Sequence, residues 1–381
     1  MNEDRAARYH RLRRRSTICS MLIGAAYLLE LSRSGVAVRL WRALQQALGA
    51  HTGPRFASAL AIDVAILAIG YELIELPFVF YRGFVLEQQY GLSSESIRTW
   101  MADHVKAGAL GVLLMVAAAA VLFGSVAAAG RWWWLAAGAA FTIAGAFLAG
   151  VAPVLLMPIF YRFRPLARES LRTRLVDLSA RAGVRVVGAF EWGLGEKTRR
   201  GNAALVGLGR TRRIIVSDTL LADYSDDEIA VVLAHELGHH VHHDMWKAIL
   251  FEGGASVAAL GIGGALTAWW AASAGASGPA DPAALPLLAL CAGLVLFALA
   301  PAGNALSRHN ERAADRFALR LTGQPPAFIT AMRRLGAQNL AEVRPSAPVV
   351  WFFHTHPTIE ERIDAARRIQ HPPAPGQPLR G

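Results

Sequence analysis

Long apolar segments are the feature that most limits what this chain can fold into. A helix needs about 20 apolar residues to cross the hydrocarbon core of a bilayer. Six runs approach or exceed that length: Ile18–Leu31, Ala57–Phe80, Ala107–Ala129, Trp132–Phe160, Ala248–Ser273 and Leu285–Leu306. Only 18% of the 381 residues are charged, against about 25% in ordinary soluble domains. The sequence therefore predicts a mainly α-helical polytopic membrane protein with about six transmembrane helices.

The first apolar run is the shortest and has a second interpretation. Six arginines precede it in the segment 5–15, so a cleaved signal peptide is the alternative to a permanent span. Glu30 and Arg33 close the run, and no small-residue cleavage site stands out. We expect an uncleaved first span. The two cysteines, Cys19 and Cys291, lie in apolar runs, which excludes a disulfide framework or a cysteine-rich zinc module.

The positions of the basic residues predict an orientation. The N-terminus and the segments Tyr81–Lys106, Tyr161–Lys247 and 307–370 share one face of the membrane, and the Ala274–Ala284 loop on the other face has no Lys or Arg. The positive-inside rule makes the first face cytoplasmic. The short Ser32–Ala57 connection carries four arginines on the opposite face, which argues against this orientation. An Ala-, Arg- and Gly-rich composition suggests a bacterial source. We therefore expect an inner-membrane protein whose large polar blocks lie in the cytoplasm.

Two polar blocks alternate with the apolar runs and suggest a domain division. The first block contains a helical pattern at Arg168–Ala182 and three β-prone runs at Gly188–Glu191, Ala203–Val206 and Arg213–Val216. We expect this block to be an α+β domain. The predicted units are a four-span region (1–160), the α+β block (161–247), two further spans (248–306), a second polar block of helical character (307–370), and a proline-rich disordered tail (371–381).

The clearest chemical motif is His235-Glu236-Leu237-Gly238-His239, an H-E-x-x-H pattern. Three acidic residues, Asp226 to Glu228, precede it where a helix would begin. Residues four apart project from one face of a helix, so His235 and His239 can bind one metal ion. Glu236 then lies beside the metal and can act as a general base. The alternative is a helix whose histidines are ordinary polar surface.

A catalytic zinc site needs a third protein ligand and an open position for water. The metzincin pattern requires Gly at 242 and His at 245, where this chain has His242 and Met245. The other solution is a glutamate from a later helix. Downstream, the residues Asn304, Arg308, Glu311 and Asp315 follow at spacings of four, three and four. We predict that Glu311 is the third ligand and that Asp315 orients a ligand histidine, with a solvated helix end as the alternative.

These motifs, with others in the right order, resemble the type I CaaX prenyl endopeptidases and their bacterial relatives. The matching segments span roughly residues 55–365. They are Phe84-Val85-Leu86-Glu87 with Tyr90-Gly91-Leu92, Pro158-Ile159-Phe160-Tyr161 with Pro165-Leu166, Asn202-Ala203 with Arg213 to Leu220, the Asn304-to-Asp315 helix, and His354-Thr355-His356-Pro357 with Glu361-Arg362.

The resemblance implies a membrane-embedded, gluzincin-type endopeptidase with one Zn²⁺ per chain. Residues 161–247 would form a zincin-like α+β catalytic domain on the cytoplasmic side, and residues 307–370 would supply the third-ligand helix and a C-terminal catalytic block. By position, His356 and Arg362 would lie near the metal and stabilise the oxyanion. Asn202 and Ala203 would lie on the strand that pairs with an extended substrate, while Asn304 and Arg308 would lie just outside the ligand shell. Eukaryotic members of the family have seven spans, whereas this chain is predicted to have six. The implied partners are a peptide or protein substrate, which may carry a lipid, and membrane lipid.

Other functions remain open at this stage. A zinc-binding membrane protein in quality control, with little proteolytic turnover, would keep the same ligands but would have no use for Glu236. A metal transporter is disfavoured because the histidines cluster in one polar block instead of lining the spans. Nucleic-acid binding is not expected because the arginines flank the spans. Zinc is inferred from ligand type, and cobalt or manganese could occupy the same site.

Overall fold

The computed structural model describes residues 3–207 and 209–370, so the predicted tail at 371–381 lies outside the described residues. The helices are α1 Glu3–Arg33, α2 Val36–Leu48, α3 Gly53–Phe80, α4 Leu86–Gln89, α5 Ile97–Ala129, α6 Trp133–Leu155, α7 Met157–Phe160, α8 Glu169–Arg181, α9 Asp218–Asp223, α10 Asp226–Val241, α11 Asp244–Trp270, α12 Leu285–Thr322, α13 Pro325–Gln338, α14 Ala347–Phe353 and α15 Ile359–Gln370. The strands are β1 Phe163–Pro165, β2 Ala189–Trp192, β3 Ala203–Val206 and β4 Arg213–Ser217.

The expected membrane scaffold is present. Within the described residues, four helical stretches are long and apolar enough to cross a membrane, or five if the bent pair α1–α2 is one span: Gly53–Gln89, Ile97–Pro153, Asp244–Ala274 and Pro282–Thr322. The stretch Ile97–Pro153 contains two helices, α5 and α6, which are separated by a short turn at Gly130–Trp132 and pack together. The mainly helical, polytopic fold class is thus confirmed.

The segment Ser32–Ala57 is more than the short connection expected from the sequence. It contains α2, which bends away from α1 by 59°. Glycines with positive φ flank this helix, Gly35 at 69° and Gly49 at 58°. The side chains of Val38 and Trp41 are buried against α3 and neighbouring helices. Two of the four arginines that argued against the orientation, Arg39 and Arg42, therefore lie on an amphipathic helix, whose apolar residues recur at helical spacing.

The polar half of the molecule, residues 161–247 and 307–370, contains the proposed site and is called the catalytic half below. It contains a four-stranded sheet with the order β1-β2-β4-β3. Strands β2 and β4 are parallel, and the outer pairs are antiparallel. The three β-prone runs predicted from the sequence became β2, β3 and β4, whereas the three-residue β1 was missed. Helices α8 and α10 cover the sheet through fully buried apolar side chains, among them Leu171, Leu175, Ile214, Ile229 and Leu233.

The helix of the H-E-x-x-H motif, α10, packs directly against α12. At the crossing, a Cβ atom on Gly238 would lie 2.9 Å from Cα of Ala314, so only glycine permits this approach. The apolar run at 285–306 and the predicted third-ligand helix form one continuous 38-residue helix. This geometry places Glu311 opposite the two histidines.

Candidate metal and catalytic site

The sequence around α10 fixes where this helix begins and which face is buried. Ser225 and Glu228 form a capping box: the Ser225 side chain accepts from the Glu228 backbone N–H, and the Glu228 side chain accepts from that of Ser225. Such a box supplies partners for N–H groups that the helix leaves unpaired. After α10, His243 adopts a left-handed conformation with φ 57°. The chain therefore bends sharply at His243 and begins α11 at Asp244.

The side chains of His235, His239 and Glu311 bring four potential ligand atoms together, two nitrogens and two carboxylate oxygens. The two histidine Nε2 atoms are 3.1 Å apart, and Glu311 places Oε2 3.3 Å from His235 Nε2 and Oε1 3.3 Å from His239 Nε2. A tetrahedral zinc ion with ligands at 2.0–2.1 Å requires donor atoms about 3.3 Å apart. Oε2 of Glu311 is buried and makes no well-formed hydrogen bond, although His356 Nδ1 lies 2.9 Å away. The donor set therefore fits a zinc ion.

A buried carboxylate orients each histidine. Asp315 lies 2.9 Å from Nδ1 of His235, and Asp244 lies 2.9 Å from Nδ1 of His239. A carboxylate at Nδ1 fixes the tautomer that leaves Nε2 free for a metal. The relation of Asp315 to His235 is the one expected from the sequence. The role of Asp244 was not predicted from the sequence. It lies only five residues beyond His239, but the bend at His243 that brings its carboxylate to the ring is not visible in the sequence.

The electrostatics of the pocket favour a cation. Burial alone would lower the pKa of His235, but hydrogen bonds to Asp315 and Glu311 outweigh it and raise the pKa to about 9. Burial also raises the pKa of Glu236, although His235 and His239 oppose that shift. Carboxylates that stabilise a proton on an imidazole stabilise a metal ion at the same place by the same Coulomb interaction.

His356 lies next to the third ligand, and its side chain is 62% exposed. Two α12 residues hold the segment that carries it. Asn304 donates to the carbonyl of Trp351 at 2.9 Å, and Arg308 donates to the carbonyls of Val350 at 3.1 Å and His354 at 2.6 Å. Asn304 and Arg308 thus fasten α14 and the His354-to-His356 turn to α12.

The guanidinium of Arg362 is buried on the far side of His235. Its Nε and Nη2 atoms donate to the two oxygens of Asp315 at 2.8 and 2.6 Å, and Nη2 lies 3.3 Å from Nδ1 of His235. Arg362 is therefore close to the ligand shell, but two of its donor nitrogens are engaged by Asp315 behind the ring.

Strand β3 has one open edge beside α10. It pairs with β4, and no other described strand pairs with it. At its start, Asn202 exchanges hydrogen bonds with Ser217 through its backbone N–H and C=O, both at 2.8 Å, and the residue itself is exposed. An exposed strand edge can accept an extended peptide by β-addition.

An H-E-x-x-H helix, a glutamate from a second helix and an open strand edge, on a scaffold of apolar helices, define a membrane metalloendopeptidase. The model of peptidase family M48 matches residues 165–370, and a model described as the CAAX prenyl protease N-terminal region with five membrane helices matches residues 2–162. The first match alone covers more than half of the chain. The chain belongs to peptidase family M48, whose members carry a metal, generally zinc.

Individual relatives agree with this assignment. The chain is 27% identical over 314 residues to the uncharacterized metalloprotease YhfN of Bacillus subtilis, covering 81% of this chain and 74% of YhfN. It is 28% identical over 309 residues to the probable CAAX prenyl protease 1 of Schizosaccharomyces pombe, covering 78% and 64% of the two chains. Its fold matches the crystal structure of S. mikatae Ste24p with a TM-score of 0.82 at 20% identity, covering 96% of this chain and 88% of that one.

Proposed function

We propose that this chain hydrolyses peptide bonds with one zinc ion held by His235, His239 and Glu311 and with Glu236 as the general base. The observation that carries the proposal is that the two histidine Nε2 atoms lie 3.1 Å apart and that each lies 3.3 Å from one carboxylate oxygen of Glu311. When bound, zinc supplies a Lewis acid that lowers the pKa of water to near neutrality and polarises a carbonyl group.

The protein's own groups then have separate tasks. Glu236 takes a proton from the attacking water and delivers it to the leaving amine. His356, beside Glu311 and open to solvent, donates to the carbonyl oxygen as negative charge develops there. Arg362 acts chiefly through Asp315, which it holds against His235, and adds positive charge to the pocket. Asn304 and Arg308 keep the His356 segment in place.

Substrate lies extended along the open edge of β3, with Asn202 and Ala203 at its start. The CAAX prenyl proteases among the relatives suggest a lipidated peptide or a membrane-associated protein as substrate, presented from the surrounding lipid. No nucleic-acid partner is proposed, because the arginines flank the apolar helices. The distribution of basic residues supports a location in a bacterial inner membrane with the catalytic half in the cytoplasm.

The test is proteolysis of matched prenylated and unprenylated peptides by detergent-purified protein, compared with a Glu236→Gln variant. We expect cleavage by the native chain, a loss of about 10²–10⁴-fold in the variant, and about one zinc per chain in both proteins. A preference for the prenylated peptides would establish lipid recognition. Zinc without cleavage in either protein would favour the low-turnover binding function, and failure to bind metal would refute the ligand assignment.

A further inference from the structure

Three side chains from distant parts of the sequence form a charged cluster next to the catalytic half. The Tyr9 hydroxyl donates to Glu87 at 2.5 Å. Nη2 of Arg200 donates to both carboxylate oxygens of Glu87, at 2.8 and 2.9 Å, and to the Tyr9 hydroxyl at 3.0 Å. The cluster joins the N-terminal helix α1, the short helix α4 and the segment that leads into β3.

The cluster is shielded from solvent. Tyr9 has no exposed surface and packs with Leu86, Tyr90 and Leu92. The side chain of Glu87 is 12% exposed and that of Arg200 is 30% exposed. Shielded charge pairs are screened less than surface pairs, so this one holds its geometry more firmly than the exposed ion pairs on α8.

The segment that Arg200 belongs to has little freedom before it becomes β3. The backbone carbonyl of Arg200 accepts from Thr219 Oγ1 at 2.8 Å, and Asn202 is bonded to Ser217. Between them, Gly201 is so tightly enclosed that a Cβ atom there would lie 2.9 Å from a methyl carbon of Leu220. A displacement of Arg200 would therefore be passed directly to Asn202.

We infer that Glu87 and Arg200 are positioning residues for substrate binding: with Tyr9, they hold the start of β3 where an extended peptide can pair with its open edge. The inference rests on the proposed role of β3 in substrate binding. Neither residue reaches the ligand cluster. Loosening the strand edge should therefore weaken substrate binding without altering the chemical step, which raises KM and leaves kcat unchanged.

The variants are Arg200→Lys, which loses the planar fork of donors, Glu87→Gln, which removes the charge, and Tyr9→Phe, which removes one hydroxyl. The control is Arg172→Gln, which breaks the exposed ion pair with Glu169 on α8. Each purified protein is assayed with the best-cleaved peptide and with versions N-methylated at single residues. Zinc content and thermal midpoint are measured in parallel.

We expect KM to rise about tenfold in Arg200→Lys and Glu87→Gln and less in Tyr9→Phe, with kcat within about twofold, zinc content unchanged and the control unaffected. N-methylation of the pairing residues should raise KM in the native protein and have less effect in the variants. A native protein insensitive to N-methylation would refute strand pairing itself. Sensitivity in the native protein with unchanged KM in the variants would refute only the positioning role. A fall in kcat together with zinc content would also overturn it. If Arg200→Lys does not fold, the KM of Tyr9→Phe tests the positioning role instead.

Discussion

At the scale of single residues, the site depends on carboxylates that do not touch the metal. Asp315 and Asp244 each occupy the Nδ1 side of one histidine, and each is in turn held by a cation, Arg362 or Lys247. An oriented imidazole loses no rotational freedom when a metal binds. Such supporting groups typically change metal affinity or activity by about 10–100-fold.

Asp244→Asn tests the less obvious of these supports. Asparagine keeps the size of the side chain but removes the charge that holds the His239 tautomer. We expect zinc affinity to fall about 10–100-fold, measured by competition with a chelator of known affinity. Lys247→Gln is the matched control, because Lys247 contacts the other oxygen of Asp244 at 2.8 Å and leaves the histidine contact intact. Equal losses in the two variants would contradict a specific role for Asp244.

At the scale of elements, the crossing of α10 and α12 sets the distance between the histidines and Glu311. Gly238→Ala should force the two helices apart, because the new methyl group would lie 2.9 Å from Cα of Ala314. We expect a loss of about 1–3 kcal/mol in stability, seen as a lower thermal midpoint, and reduced zinc content. Gly254→Ala in α11 is the control, since a methyl group there meets nothing within 4 Å. Full zinc retention in Gly238→Ala would show that α10 and α12 can move apart at their crossing without displacing the proposed ligands.

A second element, α14, is coupled to the site through Arg308. Arg308→Gln removes the guanidinium that donates to the carbonyls of Val350 and His354, so His356 should lose its position and kcat should fall about tenfold. His356→Ala should cost about 10²–10³-fold if this side chain stabilises the oxyanion. The double variant should then be no worse than His356→Ala alone.

Additive losses would mean that Arg308 acts by another route. Arg312→Gln is the control, since it breaks a solvent-exposed pair with Glu361 and a long 3.5 Å contact to the Arg308 carbonyl but leaves the Arg308 side chain in place. Pairs of that kind contribute about 0–1 kcal/mol.

The accuracy of the predictions from sequence differs between the structural elements. Long apolar helices, α8 and the strands β2 to β4 carry strong periodic patterns and were predicted from them. The His235, His239 and Glu311 cluster was predicted because helix spacing fixes which side chains share a face. In contrast, β1 is too short to show a pattern, and α2 was not predicted because its arginines made the segment resemble a polar loop. Asp244 reaches His239 only because the backbone bends at His243. Contacts that depend on a sharp backbone bend cannot be predicted from the spacing of residues along a helix.

At the scale of the whole molecule, two helices run from the apolar half into the catalytic half without a break. Helix α12 continues from its apolar part to Glu311 and Asp315, and α1 packs against α12 and carries Tyr9 to the cluster beside β3. The membrane scaffold thus fixes both Glu311, the proposed third ligand, and β3, the proposed substrate strand. A catalytic half separated from these helices would lose one metal ligand and one support of its strand edge.

Orientation in the membrane is the remaining property of the whole molecule, and a pair of matched substitutions tests it. Ala180 on α8 and Ala280 in the loop before α12 are both exposed, and the positive-inside rule places them on opposite faces. In a background carrying Cys19→Ser and Cys291→Ala, a membrane-impermeant thiol reagent added to intact bacterial spheroplasts should label Ala280→Cys and not Ala180→Cys. After permeabilisation both should be labelled, which serves as the control for reactivity. The reverse pattern would place the catalytic half outside the cytoplasm, where lipidated cytosolic peptides could not reach it, so that only membrane-associated proteins exposed on the outer face would remain as substrates.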